Sequence, residues 1–134
     1  MKKDGRKITF TCELVVTDED IEDIVVTALE GGIGYWACLD NRTERFAAAP
    51  DDEPVSITTT KILLEGGGVT LIDEEDDMKE YVLTLDKLLS GLEKYLDGSD
   101  CKALENGSLD CGYIDSVAAD GIVQYAVFGE WIYG

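Results

Sequence analysis

The chain has no histidine, two prolines, and no apolar run of the roughly 18 residues that a membrane span requires. Without histidine, the commonest general acid/base is missing and no mixed Cys/His zinc site can be assembled. Cys12, Cys38, Cys101 and Cys111 are widely spaced and form no C-x-x-C pair, so reduced structural cysteines are expected rather than a metal or redox centre. No serine or cysteine sits in a recognisable nucleophile motif. Gly66, Gly67 and Gly68 are followed by neither Lys-Ser nor a helix, so they are neither a Walker loop nor a dinucleotide fingerprint. An apolar secretory leader is also missing, and a cytoplasmic protein is expected. Together these absences point to a protein without catalytic residues, cofactor or metal, which works by binding.

Positive charge is scarce as well. The formal net charge is −18, and Lys2, Lys3, Arg6 and Lys7 supply four of the eleven basic residues. From residue 8 onward 28 acidic residues face seven basic ones. Such a body repels nucleic-acid phosphates and anionic membranes, so direct binding to either is not expected. With 45% hydrophobic and 30% charged residues over 134 positions, the composition is that of one globular domain, residues 1–134, and not of a disordered chain.

Along the chain, alternation of Ile8, Phe10, Cys12 and Leu14 predicts a half-buried strand over residues 7–16. Thr17 offers an N-cap, and Ile21, Ile24, Val25, Ala28 and Leu29 recur at helical spacing, which predicts a helix over 18–30 stopped by Gly31 and Gly32. A strand is predicted over 33–39, and a long, mobile loop over 40–55. Strands over 57–64 and 69–72 should pair as a hairpin about Gly66 to Gly68. The acidic run of residues 73–77 reads as a solvated turn before a strand over 80–83. It lacks the spaced ligands and central glycine of a calcium loop. Leu85, Leu88, Leu89, Leu92, Tyr95 and Leu96 predict a second helix ended by Gly98, and residues 99–113 a loop. A last helix over 115–128 should turn Val117, Ala118, Ile122, Tyr125 and Ala126 inward and stop at Gly129. The segregated order predicts an α+β fold, with an antiparallel sheet of about five strands and about three helices packed on it.

Two segments concentrate chemistry. Gly31, Gly32, Gly34, Tyr35 and Trp36 combine permissive backbone with flat aromatic surfaces. Tyr125, Phe128, Trp131 and Tyr133 crowd the last helix and the tail, where they either join the core or form an oligomer seam.

Those segments resemble a family of small acidic proteins of unknown function encoded by bacteriophages and prophages. The residues that carry the resemblance are Thr27, Ala28, Glu30, Gly31, Gly32, Tyr35 and Trp36, then Gln124, Tyr125, Ala126, Phe128, Gly129, Glu130, Tyr133 and Gly134. The resemblance implies a viral origin and, by analogy, an antagonist of host defence working in the infected bacterium's cytoplasm. One expectation is an oligomeric sponge for a nucleotide-derived immune signal. There Tyr35 or Trp36 stacks on a base, the Gly31 and Gly32 amides take phosphate oxygens, and Arg42 and Arg45 supply charge. The alternative is an acidic DNA mimic that blocks a basic host defence protein such as a CRISPR or restriction nuclease. A structural phage accessory protein, assembled through the aromatic tail, is the third.

Overall fold

In the computed structural model, which describes residues 13–97, 104–105, 108–109 and 114–134, Thr17 opens helix α1 (Asp18–Thr27) as expected. Its hydroxyl accepts from the Asp20 amide at 3.1 Å, while the Asp20 carboxylate accepts from the Thr17 amide at 2.9 Å. This reciprocal box satisfies two otherwise orphaned donors. Ile21, Ile24 and Val25 form its buried face. The helix does not stop at the glycines but widens into a π-helical turn (Ala28–Gly32), closed by the Ile33 amide on the Ala28 carbonyl at 2.9 Å.

The predicted strand over 33–39 is shorter: residues 33–36 turn, and only β1 (Ala37–Leu39) is extended. The predicted loop over 40–55 contains a one-turn helix, α2 (Glu44–Ala47). A larger correction follows. Residues 57–64, expected as a strand, belong to helix α3 (Val55–Leu64). The β-branched run misleads because each threonine turns its hydroxyl back onto the helix: Thr59 donates to the Val55 carbonyl at 2.8 Å and Thr60 to the Ser56 carbonyl at 2.9 Å. Thr58 donates to Glu53 at 2.6 Å. With their hydroxyls satisfied locally, all three threonines are buried without cost from an unpaired polar group.

Strand β2 (Gly68–Asp73) therefore has no hairpin partner before it. It lies between β1 and β3 (Lys79–Thr84) in an antiparallel sheet of order β1-β2-β3, with Leu71 opposite both Leu39 and Tyr81. Val69, Leu71 and Asp73 alternate into the interior, and Val82 faces outward. Helix α4 (Leu85–Asp97) follows directly and α5 (Ser116–Phe128) closes the core. Asp115 caps α5 through the Ala118 amide at 2.8 Å. Gly129, at φ 77°, ends it. Val117, expected inward, stands outside at 63% exposure.

The fold is α+β, with helices over one face of the sheet, but the strand and helix counts differ from those expected. The core sheet has three strands, and a separate two-stranded ladder pairs β4 (Leu104–Glu105) with β5 (Ser108–Leu109) inside the predicted loop over 99–113. Most of the predicted first strand lies outside the described residues. One contiguous core joins α1, α3, α4, α5 and the sheet around Ile24, Leu63, Leu71, Leu88 and Ile122. Helices α4 and α5 meet at Gly91, where a Cβ would stand 2.4 Å from the Ile122 carbonyl oxygen and 2.7 Å from the Ala126 nitrogen. A mid-helix glycine is tolerated there because it lets two backbones touch. Gly91→Ala is expected to destabilise the protein by about 2 kcal/mol, read as a lower urea midpoint at unchanged slope.

Candidate functional site

Both aromatic segments meet in space, and they meet on a carboxylate. Asp120, in the middle of the apolar helix α5, is 4% exposed and accepts three hydrogen bonds from neutral donors. These are the Trp36 indole at 2.8 Å, the Gln124 amide at 2.9 Å and the Tyr35 hydroxyl at 2.5 Å. Gln124 sits one turn further along the same face and ties down the tail. Its Oε1 accepts from the amides of Ile132 and Tyr133, both at 2.8 Å, and its Nε2 also donates to the Tyr133 carbonyl at 3.1 Å.

The tail in turn holds the sheet. Tyr133 stacks on Trp36 with ring centroids 5.5 Å apart, and Phe128 closes on both rings at 5.1 Å and 5.9 Å. The Tyr133 hydroxyl donates to buried Asp73 at 2.8 Å. The other Asp73 oxygen accepts from the Glu75 amide at 3.0 Å, and the Glu74 amide donates to the Trp36 carbonyl at 2.8 Å. Thus the aromatic network fixes the base of the β2–β3 turn. Above it Glu74, Glu75, Asp76 and Asp77 are all exposed. Asp77 and Met78 have φ of 54° and 59°, the left-handed region in which a bulky residue such as methionine is strained.

This arrangement places each expected binding residue. Trp36 has no exposed surface, so neither face of its ring is open to a base. Gly32 is buried where a Cβ would stand 2.8 Å from the Ser116 carbonyl oxygen, so it serves close approach of the π turn to α5. Gly31 remains exposed. Tyr35 keeps 52% exposure with its hydroxyl pinned to Asp120. Arg42 pairs with Asp40 at 2.8 Å, and Arg45 with Glu65 at 3.3 Å. The Arg42 hydrogen bonds hold the Asp40 carboxyl below its usual range. Of the expected oligomer-interface residues, Phe128 and Tyr133 turn to Trp36. Tyr125 and Trp131 meet edge-on at 6.1 Å on the outer side, where Trp131 is 39% exposed.

The residues that organise the site, Asp73, Asp120 and Gln124, were not singled out as site residues from the sequence. A readable signal existed for two of them: polar residues four apart on one face of an otherwise apolar helix need a buried partner. Gln124 finds its partners in the tail, but those of Asp120 on the other segment, Trp36 and Tyr35, lie 84 and 85 positions away and carry no local mark.

Among the described residues no three His, Cys, Asp or Glu side chains converge to hold a metal. Among the described residues, too, no helix is long and apolar enough to cross a membrane. Cys38 is free and half-buried, and burial raises its thiol pKa, with Glu74 and Asp40 adding to the shift. Neither a family model, a curated protein nor a solved structure matches this chain.

Burial, with the Asp120 hydrogen bond, pushes the Tyr35 phenol up to about 12, and the Asp73 hydrogen bond does the same for Tyr133. A phenol whose pKa is raised by folding stabilises the protein fully below its unfolded value of 10.0, and that contribution is lost as pH rises toward 12. Phenolate absorbance is expected to show two late-titrating groups, one removed by Tyr35→Phe and the other by Tyr133→Phe. Asp120→Ala strands three donors in the interior and is expected to cost about 3–5 kcal/mol in denaturant unfolding.

Proposed function

We propose that the protein is a non-catalytic antagonist whose acidic surface imitates a phosphate backbone and occupies the cationic groove of a nucleic-acid-binding host defence protein. The observation that carries this reading is the β2–β3 turn, where four exposed carboxylates stand on a base braced by Asp73, Trp36 and Tyr133. A charged loop held rigid loses little conformational entropy when a partner engages it. Exposed Asp18, Glu19 and Asp23 on α1, and Asp51 and Asp52 before α3, extend the negative surface. Among the described residues, five of the six cations are already engaged: Arg42, Arg45 and Lys61 are ion-paired, Lys87 donates to the Val82 carbonyl, and Lys79 lies over the Tyr81 ring. The viral setting rests on the resemblance of the two aromatic segments, and the defence role on analogy with small phage proteins.

Sequestration of a nucleotide-derived signal is the second reading, and the half-exposed ring of Tyr35 favours it, since that ring can still stack on a base. A phosphate there would have to displace Asp40 from Arg42 or Glu65 from Arg45. A discrete mass gain in native mass spectrometry after mixing with cyclic nucleotide signals would favour this reading over mimicry.

The test of mimicry uses a purified restriction or CRISPR nuclease that the protein inhibits. Replacing Glu74, Glu75, Asp76 and Asp77 by their amides is expected to weaken inhibition by about tenfold or more and to flatten its salt dependence. Inhibition unchanged by both the substitution and added salt would remove the electrostatic basis. Met78→Gly relieves the left-handed strain and is expected to raise stability by about 1 kcal/mol in thermal unfolding.

A further inference from the structure

A half-open cavity of about 340 Å³ lies between the π turn, β1 and the first turn of α3. Its walls are apolar, built by Leu29, Ile33, Leu39 and Val55. At its mouth Gly34 has no atom within 4 Å of where a Cβ would stand, so nothing crowds the opening there. Two oxygen-bearing side chains line it. The buried Ser56 hydroxyl donates to Glu30 Oε2 at 2.6 Å, which fixes the carboxylate and leaves Oε1 for another donor. Among the described residues no lysine or arginine lines the cavity or pairs with Glu30.

From this geometry we infer that the cavity binds an organic cation, a guanidinium or ammonium group carried on an apolar stem, with the stem against the walls and the charge on Glu30. Glu30 sits in the π turn between Ala28 and Ile33, exposed to solvent at the cavity and tied to the start of α3 through Ser56. An anionic ligand meets Glu30 without a compensating cation, whereas the protein's net charge of −18 concentrates cations around it. The volume is at the small end for ligand pockets, suited to a side chain or fragment rather than to a dinucleotide. This inference stands independently of the acidic turn.

The experiment is a ¹⁵N-amide NMR titration of the whole protein with n-butylguanidinium, n-butylammonium, n-butanol and n-butyl phosphate. Both cations are expected to shift Gly34, Cys38 and Ser56 and to bind about tenfold or more tighter than butanol, with butyl phosphate weakest. Glu30→Gln keeps an acceptor for Ser56 and is expected to reduce the cations to the level of butanol. Gly34→Leu, which fills the mouth, is expected to abolish binding of all four. Equal affinity for cation and alcohol, preference for the phosphate, or undiminished cation binding by the folded Glu30→Gln variant would overturn the assignment. N-acetyl-arginine amide in place of butylguanidinium distinguishes the sources. Comparable binding assigns the cation to a protein side chain, and loss of binding assigns it to a free small molecule.

Discussion

The structure depends on a buried carboxylate that has no countercharge among the described residues. Removing such a group from water costs several kcal/mol, and Asp120 recovers that only because an indole, a phenol and an amide all point at it. Hydrogen bonds to a charged group contribute about 1.5–3 kcal/mol each, so the three together are of the order of that cost. The arrangement draws on all three donors. It forces the turn before β1, the middle of α5 and the C-terminal tail into one geometry, and a partly formed version is worse than an apolar core.

From that point constraint spreads outward. Gln124 links Asp120 to the tail, Tyr133 links the tail to Asp73, and Asp73 orients the turn between β2 and β3. The aromatic rings fill the space among these bonds, Trp36 at their centre between Phe128 and Tyr133. Trp36 and Gly32, two of the residues most suggestive of a ligand site, thus serve the interior, while Tyr35 keeps half of its surface exposed. Groups open to a partner also include the carboxylates that the network supports and the cavity beside Glu30.

Charge acts on two scales in this molecule. Locally, four of the cations among the described residues, Arg42, Arg45, Lys61 and Lys87, are committed to Asp40, Glu65, Glu53 and a strand-edge carbonyl, contacts that are exposed and individually weak. Globally, the uncompensated carboxylates repel one another over roughly a Debye length, about 8 Å at physiological ionic strength. Lys87 on the Val82 carbonyl also occupies an acceptor of the outer strand β3, which discourages another strand from pairing there.

The sequence by itself determined the helices whose signals are local. Thr17 with its acidic first turn, the leucine periodicity of α4 and the Gly129 stop of α5 each act within a few residues, where capping and amphipathic spacing decide the outcome. It also determined the acidic surface, the exposed turn before β3 and the α+β class. Tertiary structure alone decided that residues 57–64 are helical, because the β propensity of three threonines yields once their hydroxyls bond back and their methyls are buried under α1 and β2. It alone decided the fate of the aromatic segments as well. Whether Trp36 faces a ligand or a core depends on a donor finding Asp120 from 84 residues away, and no window of sequence contains both ends of that bond.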